Sequence, residues 1–415
     1  MIVVFYVVFL FGAWIFWRRR SFDFVSASFF GMGIYFLPGF FGVVMNPYLV
    51  GELPIEPIAI QTYLVWILAL CGMIAAGLWY NPSGRGAYRP PKTDLSFDLV
   101  LIGLLIVSLL GALYVGGDDL LSAEKDDVLA AQGRVFILYS TLSQIAFTSF
   151  VLQRKIIGMI VSGLSIAFLV FIGYRVELAV ASIAILISIA MYGGVRALVK
   201  PRVSLPAFAF VILAFTYKSI GMGIRGGRYD VVQNTLYGGS FVSDAVMKSE
   251  PFTTQTILNE VLLRSFSVSS YNIFQSFVAF IPFSNVIFKF NENTLGFSFQ
   301  DALFPNLDYG LASNIYANFY SAFGWVGVTV FVALHSFGVI QISKSLASEK
   351  LNSYAKIVLL LIGSFLAFYI HRNDLAYSIT MINRYIYTAL MAWLISRIVA
   401  AVLAGRPGHG TSSSS

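Results

Sequence analysis

The chain is poor in charge and almost devoid of cysteine. Only 11% of its 415 residues are Asp, Glu, Lys or Arg, against about 25% in soluble domains. Hydrophobic residues make up 58% and mean hydropathy is +0.80. That balance excludes a soluble globular domain and defines a polytopic membrane protein. The single cysteine, Cys71, rules out an intramolecular disulfide and a structural thiolate metal site. There is no Walker loop, dinucleotide fingerprint, His-Glu-x-x-His helix or Gly-x-Ser-x-Gly elbow. ATP-driven work and covalent serine chemistry are therefore unsupported.

What is present is a series of apolar runs near the ~20 residues needed to cross a bilayer. They fall at about 2–17, 22–45, 57–80, 97–115, 134–153, 156–173, 177–194, 203–221, 315–341, 356–370 and 378–403. The reading is an all-α bundle of about eleven spans. The first run is followed by Arg18, Arg19 and Arg20 and is preceded by neither a basic flank nor a cleavage site, so it is expected to be a retained helix. The positive-inside rule places that triplet in the cytoplasm and fixes the side of each later loop. Sixteen of the 27 basic residues then fall inside, with Asp23, Asp94, Asp98 and Glu349 as the only acids there. The outer side carries eleven basic residues and the other sixteen acids, so it is net negative. The overall charge of +7 is therefore topological bias and no sign of a nucleic-acid partner.

Two outer segments are longer than neighbouring helices require. The stretch 116–133 carries Asp118, Asp119, Glu124, Asp126 and Asp127 and reads as a solvated amphipathic helix. A hard cation could sit on such carboxylates, but nothing imposes ligand spacing and no metal is assigned. The segment 222–314 is too apolar for a disordered linker. Ile257, Leu258, Val261, Leu262 and Phe266 recur in it at helical spacing, ahead of an aromatic-rich stretch from Tyr271 to Phe283. Amphipathic helices on the outer membrane interface are expected there. The organisation is thus an N-terminal transmembrane bundle (1–221), a large outer loop (222–314), C-terminal transmembrane helices (315–404) and a disordered low-complexity tail (405–415). No inverted repeat of the transporter kind is visible.

Arginines at outer helix ends are the candidate chemistry, because anchoring arginines belong chiefly inside. Arg175 lies in the sequence from Gly173 to Glu177, between two spans joined almost without a loop; the alternative is a snorkelling anchor paired with Glu177. Arg225 and Arg228 follow the eighth span among four glycines, where backbone amides and guanidiniums can clamp phosphate, unless this is only a flexible helix exit. Arg264 sits between hydrophobic residues and, if buried, needs an acidic partner or a ligand. His371, Arg372 and Asp374 end the tenth span, and Arg384 lies inside the last apolar run; ionisable residues at that depth are functional hypotheses. His371, Asp374 or Glu177 could serve as general base. Asn314 and Asn318 lie among aromatic residues ahead of a late span, a mixture that suits sugar hydroxyls and CH faces or, alternatively, an interfacial belt. A cation-rich site bordering lipid suits an anion carried on a lipid.

Three patches carry a resemblance: Asn314 to Val328, Leu262 to Phe266, and Gly173 to Glu177. They are similar to segments of the Wzy-type O-antigen polymerases, integral membrane glycosyltransferases of bacterial surface polysaccharide assembly. The resemblance implies a metal-independent, cofactor-free GT-C-type fold in the inner membrane, with a large periplasmic loop bearing essential arginines. Arg175 and Arg264 match best; Arg225, Arg228, Arg372, His371 and Arg384 rest on position and charge. The implied substrates are undecaprenyl-pyrophosphate-linked oligosaccharides as donor and acceptor, with membrane lipids and a chain-length regulator protein as further partners. A sugar hydroxyl would attack the anomeric carbon while undecaprenyl pyrophosphate leaves, and Arg175, Arg264 and Arg372 would stabilise the leaving charge. The related O-antigen ligases use a histidine near a late outer helix end, where His371 lies, so a ligase is one alternative. A lipid-linked oligosaccharide flippase or other transporter is the other.

Overall fold

The computed structural model describes residues 1–19, 22–45, 55–81, 88–122, 128, 133–205, 249–278, 280–281, 295–304 and 313–404. Its helices are α1 (Ile2–Arg18), α2 (Phe24–Tyr35), α3 (Pro38–Phe41), α4 (Ile60–Trp79), α5 (Leu95–Gly116), α6 (Arg134–Gln153), α7 (Ile156–Phe171) and α8 (Val176–Gly193). They continue with α9 (Glu250–Leu263), α10 (Tyr271–Val278), α11 (Leu295–Leu303), α12 (Ile315–Ala347), α13 (Ser353–Ala367) and α14 (Leu375–Ala404). Two short strands, β1 (Val43–Met45) and β2 (Ile55–Pro57), pair antiparallel with Val44 opposite Glu56. Among the described residues, six helices (α4, α5, α6, α8, α12 and α14) are long and apolar enough to cross a membrane, and α1, α2, α7 and α13 are shorter apolar helices. The chain is an all-α, multi-pass membrane helix bundle. Of the eleven expected spans, the one at 203–221 lies almost wholly outside the described residues; the tail, Arg225, Arg228 and half of the acidic 116–133 stretch, with Glu124, Asp126 and Asp127, also lie outside them. The start of that stretch, Gly117–Leu121, is a 3-10 turn.

The run at 22–45 is not one span. Helix α2 stops at Tyr35, the one-turn α3 begins at Pro38, and the chain then turns into β1. Proline has no N–H for the preceding turn and its ring clashes with the carbonyl four residues back, so an uninterrupted apolar run is cut in two. Helix α12 is also interrupted: Gly324 (φ 60°, ψ −145°) kinks it, a conformation that glycine alone adopts without strain.

The chain forms two compact units. One is built from 1–89, 182–351 and 359–383. Its core includes fully buried Phe5, Phe36 and Trp66, with Phe36 stacked on Trp66 at 5.6 Å and Phe5 5.8 Å from the same ring. Helix α9 packs there against α2, α4, α12 and β1. The other unit comprises 90–181, 352–358 and 384–415. In it α5, α6 and α7 pack on one another, Asp94 caps α5 by accepting the Phe97 N–H at 2.8 Å, and Asp98 pairs with Lys155.

The helices α9 and α10, within the 222–314 segment, differ in what they bury. On α10, Ile273 and Ser276 are buried while Tyr271, Phe274 and Phe277 are exposed. On α9 every residue from Thr254 to Leu262 is buried, including Thr254, Gln255, Asn259 and Glu260. Its Gln255 and Asn259 side chains face other polar groups.

Candidate functional site

The polar side of α9 is held by a series of buried hydrogen bonds. Trp66 Nε1–H donates to Gln255 Oε1 at 2.8 Å. Asn259 Oδ1 accepts from the Ala59 N–H and from the Thr62 hydroxyl, each at 2.9 Å. Asn314 Nδ2–H donates to the Thr254 carbonyl at 3.2 Å while its Oδ1 caps α12, accepting from the N–H groups of Tyr316 and Ala317 at 2.9 and 3.1 Å. These bonds fix where α9 ends, and the chemistry lies at its two ends.

The C-terminal end opens into a cleft of about 540 Å³ lined by Glu56, Pro57, Ile58, Ala59, Glu260, Leu263 and Arg264. The β1–β2 ladder delivers Glu56; the last turn of α9 delivers Glu260 and Arg264. Arg264 Nε–H donates to Glu260 Oε2 at 2.8 Å, with the guanidinium side chain 52% exposed and the carboxylate 6% exposed. The acid therefore lies in the wall and the base reaches the mouth. Burial pushes the Glu260 carboxyl above the ordinary carboxylate range; Arg264 opposes that shift, and Glu56, which also hydrogen-bonds to Glu260, adds to it. The cleft offers acceptors, a forked donor and apolar wall together.

At the N-terminal end of α9, Glu250 pairs with Arg372, which also lies 5.3 Å over the Tyr369 ring. Burial alone would lower the Arg372 pKa, but Glu250, Tyr369 and Tyr35 together outweigh it and hold the guanidinium charged. Beside it, in the 3-10 turn Tyr369–Arg372, His371 is fully buried. Its Nδ1 meets the Tyr316 hydroxyl at 3.1 Å and its ring stands edge-on to His335 at 5.6 Å. Burial, with His335 next, pushes its pKa well below the usual value, and Nε2 is buried without a hydrogen bond. Asp374 caps α14, Oδ1 accepting the Tyr377 N–H at 2.8 Å. Asn318 Oδ1 accepts the Leu375 N–H at 3.1 Å. Asn314, Asn318, His371 and Asp374 are thus buried, three of them capping or bonding to helix ends.

In the other unit, α7 and α8 are joined by a tight turn in which Gly173 takes φ 100°, with Arg175 immediately ahead of α8. Glu177 lies in the first turn of α8, buried, within electrostatic reach of Arg384.

Of the expected arginines in the first unit, Arg264 stands with Glu260 and Glu56, and Arg372 with Glu250; in the other unit Arg175 lies two residues before Glu177, on which Arg384 acts. Sequence reasoning missed Glu260 and Glu56. Glu260 was readable, since it stands four residues before Arg264 on a helix; Glu56 is 204 positions before Glu260 and no local pattern points to it. Among the described residues no group of three or more His, Cys, Asp or Glu could hold a metal. The fold and cleft define a multi-pass membrane protein with a mixed-charge cleft at one helix end. No protein-family model, curated protein or solved structure matches the chain.

Proposed function

We propose that this protein is a polysaccharide polymerase of the bacterial inner membrane that joins polyprenyl-pyrophosphate-linked repeat units at the periplasmic face. The observation that carries the reading is the cleft at the end of α9, in which a half-exposed arginine at the mouth stands over two carboxylates in the wall. Its volume of about 540 Å³ lies within the ~300–1,000 Å³ typical of small-molecule sites. Carboxylates accept from sugar hydroxyls, and Ile58 and Leu263 offer apolar wall to sugar CH faces. Arg264 presents a planar fork that matches pyrophosphate oxygens better than a lysine point charge. The sugar–phosphate bond already has a good leaving group, so the work is alignment and stabilisation of charge on the departing oxygen. A ligase of the related kind would call on His371, whose sealed ring offers no path to a sugar among the described residues, so polymerisation is the preferred reading.

The test is reconstitution of purified protein in detergent with a synthetic undecaprenyl-pyrophosphate-linked repeat unit and EDTA, followed by gel separation. A ladder of products is expected. Absence of a ladder with the repeat unit of the source organism, in a preparation shown to be folded, overturns the reading.

A further inference from the structure

We propose that Glu260, working with Glu56, takes up the proton of the attacking sugar hydroxyl, which makes the cleft the acceptor-sugar subsite. The inference rests on the polymerase reading and adds which group is the base and which substrate the cleft receives.

Placement comes first. The Glu260 side chain is 6% exposed and Arg264 is 52% exposed, so a molecule entering the cleft passes the guanidinium before it meets the carboxylate. A pyrophosphate seated between Glu56 and Glu260 would face two acids and be repelled; a neutral sugar would find two hydrogen-bond acceptors. The anionic leaving group therefore belongs at the mouth, on Arg264, and the hydroxyl-bearing acceptor belongs within.

Competition comes second. His371 is fully buried with Nδ1 engaged by Tyr316, and Asp374 is committed to the cap of α14. Glu260 by contrast lines open volume. Its Oε2 accepts from Arg264 Nε–H at 2.8 Å, and Glu56 hydrogen-bonds to the same carboxyl group. A buried carboxyl raised above its ordinary range is also a stronger base than a free one once ionised.

The step balances without a further reagent. The acceptor oxygen forms a bond to the donor's anomeric carbon as the bond from that carbon to the pyrophosphate oxygen breaks. The electron pair of the broken bond stays on the leaving pyrophosphate, beside Arg264, and the hydroxyl proton passes to ionised Glu260. Among the described residues, Glu56 from β2 and Arg264 from the following turn are the charged groups acting on Glu260. Arg372 pairs with Glu250 at the opposite end of α9.

The experiment is single-turnover transfer between lipid-linked donor and acceptor from pH 5 to 9, with wild type, Glu260→Gln and Glu56→Gln. Wild type should show an acidic limb, because the base must be ionised. Glu260→Gln should lose on the order of 10²–10⁴-fold in rate, with acceptor KM changed far less, and its residual rate should lack the acidic limb. Glu56→Gln removes the neighbouring acid that raises Glu260, so its acidic limb should move to lower pH. Glu260→Gln within about threefold of wild type and an unchanged limb overturn the inference while the polymerase reading stands. A wild type inactive with its own repeat unit overturns the reading beneath it. If Glu260→Gln does not fold, Glu56→Gln decides: a lowered limb supports the pairing and an unmoved limb overturns it.

Discussion

The open cleft at the end of α9 and the sealed polar network along the same helix are made of similar residues and behave differently. Both set polar side chains in an apolar surround. In the network around Gln255, Asn314, Tyr316 and His371 each named side chain is buried and bonded inward. At the cleft, Arg264 is half in solvent and two carboxylates share a wall of open volume. Depth and unusual chemistry are common to both regions, and access separates them. An ionisable residue at membrane depth is a reason to look for function, yet the same residue satisfied by a helix cap is there for folding.

The sharpest way to break this contrast is to replace one arginine from each end of α9. Arg264→Lys keeps the charge and loses the fork, so polymerisation should fall by about 10²–10³-fold, the usual cost of one donor to developing negative charge, with insertion and thermal midpoint near wild type. Arg372→Lys should leave activity within about tenfold and act chiefly on stability, since Arg372 serves Glu250 and Tyr369. Ladder assays on both variants, scored beside their melting midpoints, decide it. If Arg372→Lys proves as damaging as Arg264→Lys in a fully stable protein, the division between open and sealed regions fails.

A change inside the sealed network should show the opposite pattern. Asn314→Ala removes the cap of α12 and the bond to the Thr254 carbonyl. The loss should be about 1–3 kcal/mol, between a lost N-cap and a buried polar group left unpaired. Thermal unfolding in detergent should register it as a lowered midpoint, with activity at a permissive temperature within about twofold of wild type. Loss of activity without loss of stability would instead return Asn314 to the sugar-binding role its aromatic neighbours suggested.

Hydropathy made the membrane bundle legible, because a bilayer span needs little more than length and apolarity. The interruption of 22–45 was missed, because hydropathy counts length and apolarity and passes over Pro38. The environment of α9 was not legible either. Its apolar residues recur at helical spacing, which says that one side is buried and leaves open what the other side meets; Trp66, Thr62 and Asn314 supply that from distant segments. The same limit hid the site. Arg264 stood out locally, and Glu260 was within one turn of it, but Glu56 reaches the cleft only through the β1–β2 pairing. His371 and Asp374 were attractive as bases by residue type and depth, and burial and capping are three-dimensional facts that no spacing encodes.

His371 offers the finest test of the contrast, through pH. Its folded-state pKa is depressed by burial and by His335, whereas in the unfolded chain it titrates near ~6.5. Below that value the unfolded chain binds a proton that the folded protein refuses, so stability is present above pH ~6.5 and is lost as pH falls, by at most about 1.4 kcal/mol per pH unit for one group. His371→Gln should be somewhat less stable at neutral pH, having exchanged the ring beside Tyr316, and should show a shallower decline in melting midpoint between pH 6.5 and 5. A catalytic base would behave otherwise: its removal would erase the acidic limb of the rate and leave the stability profile alone. Melting midpoints and transfer rates measured on the same preparations therefore separate the two roles, and a rate limb that disappears with His371 would move the proton acceptor out of the cleft and into the region assigned to folding.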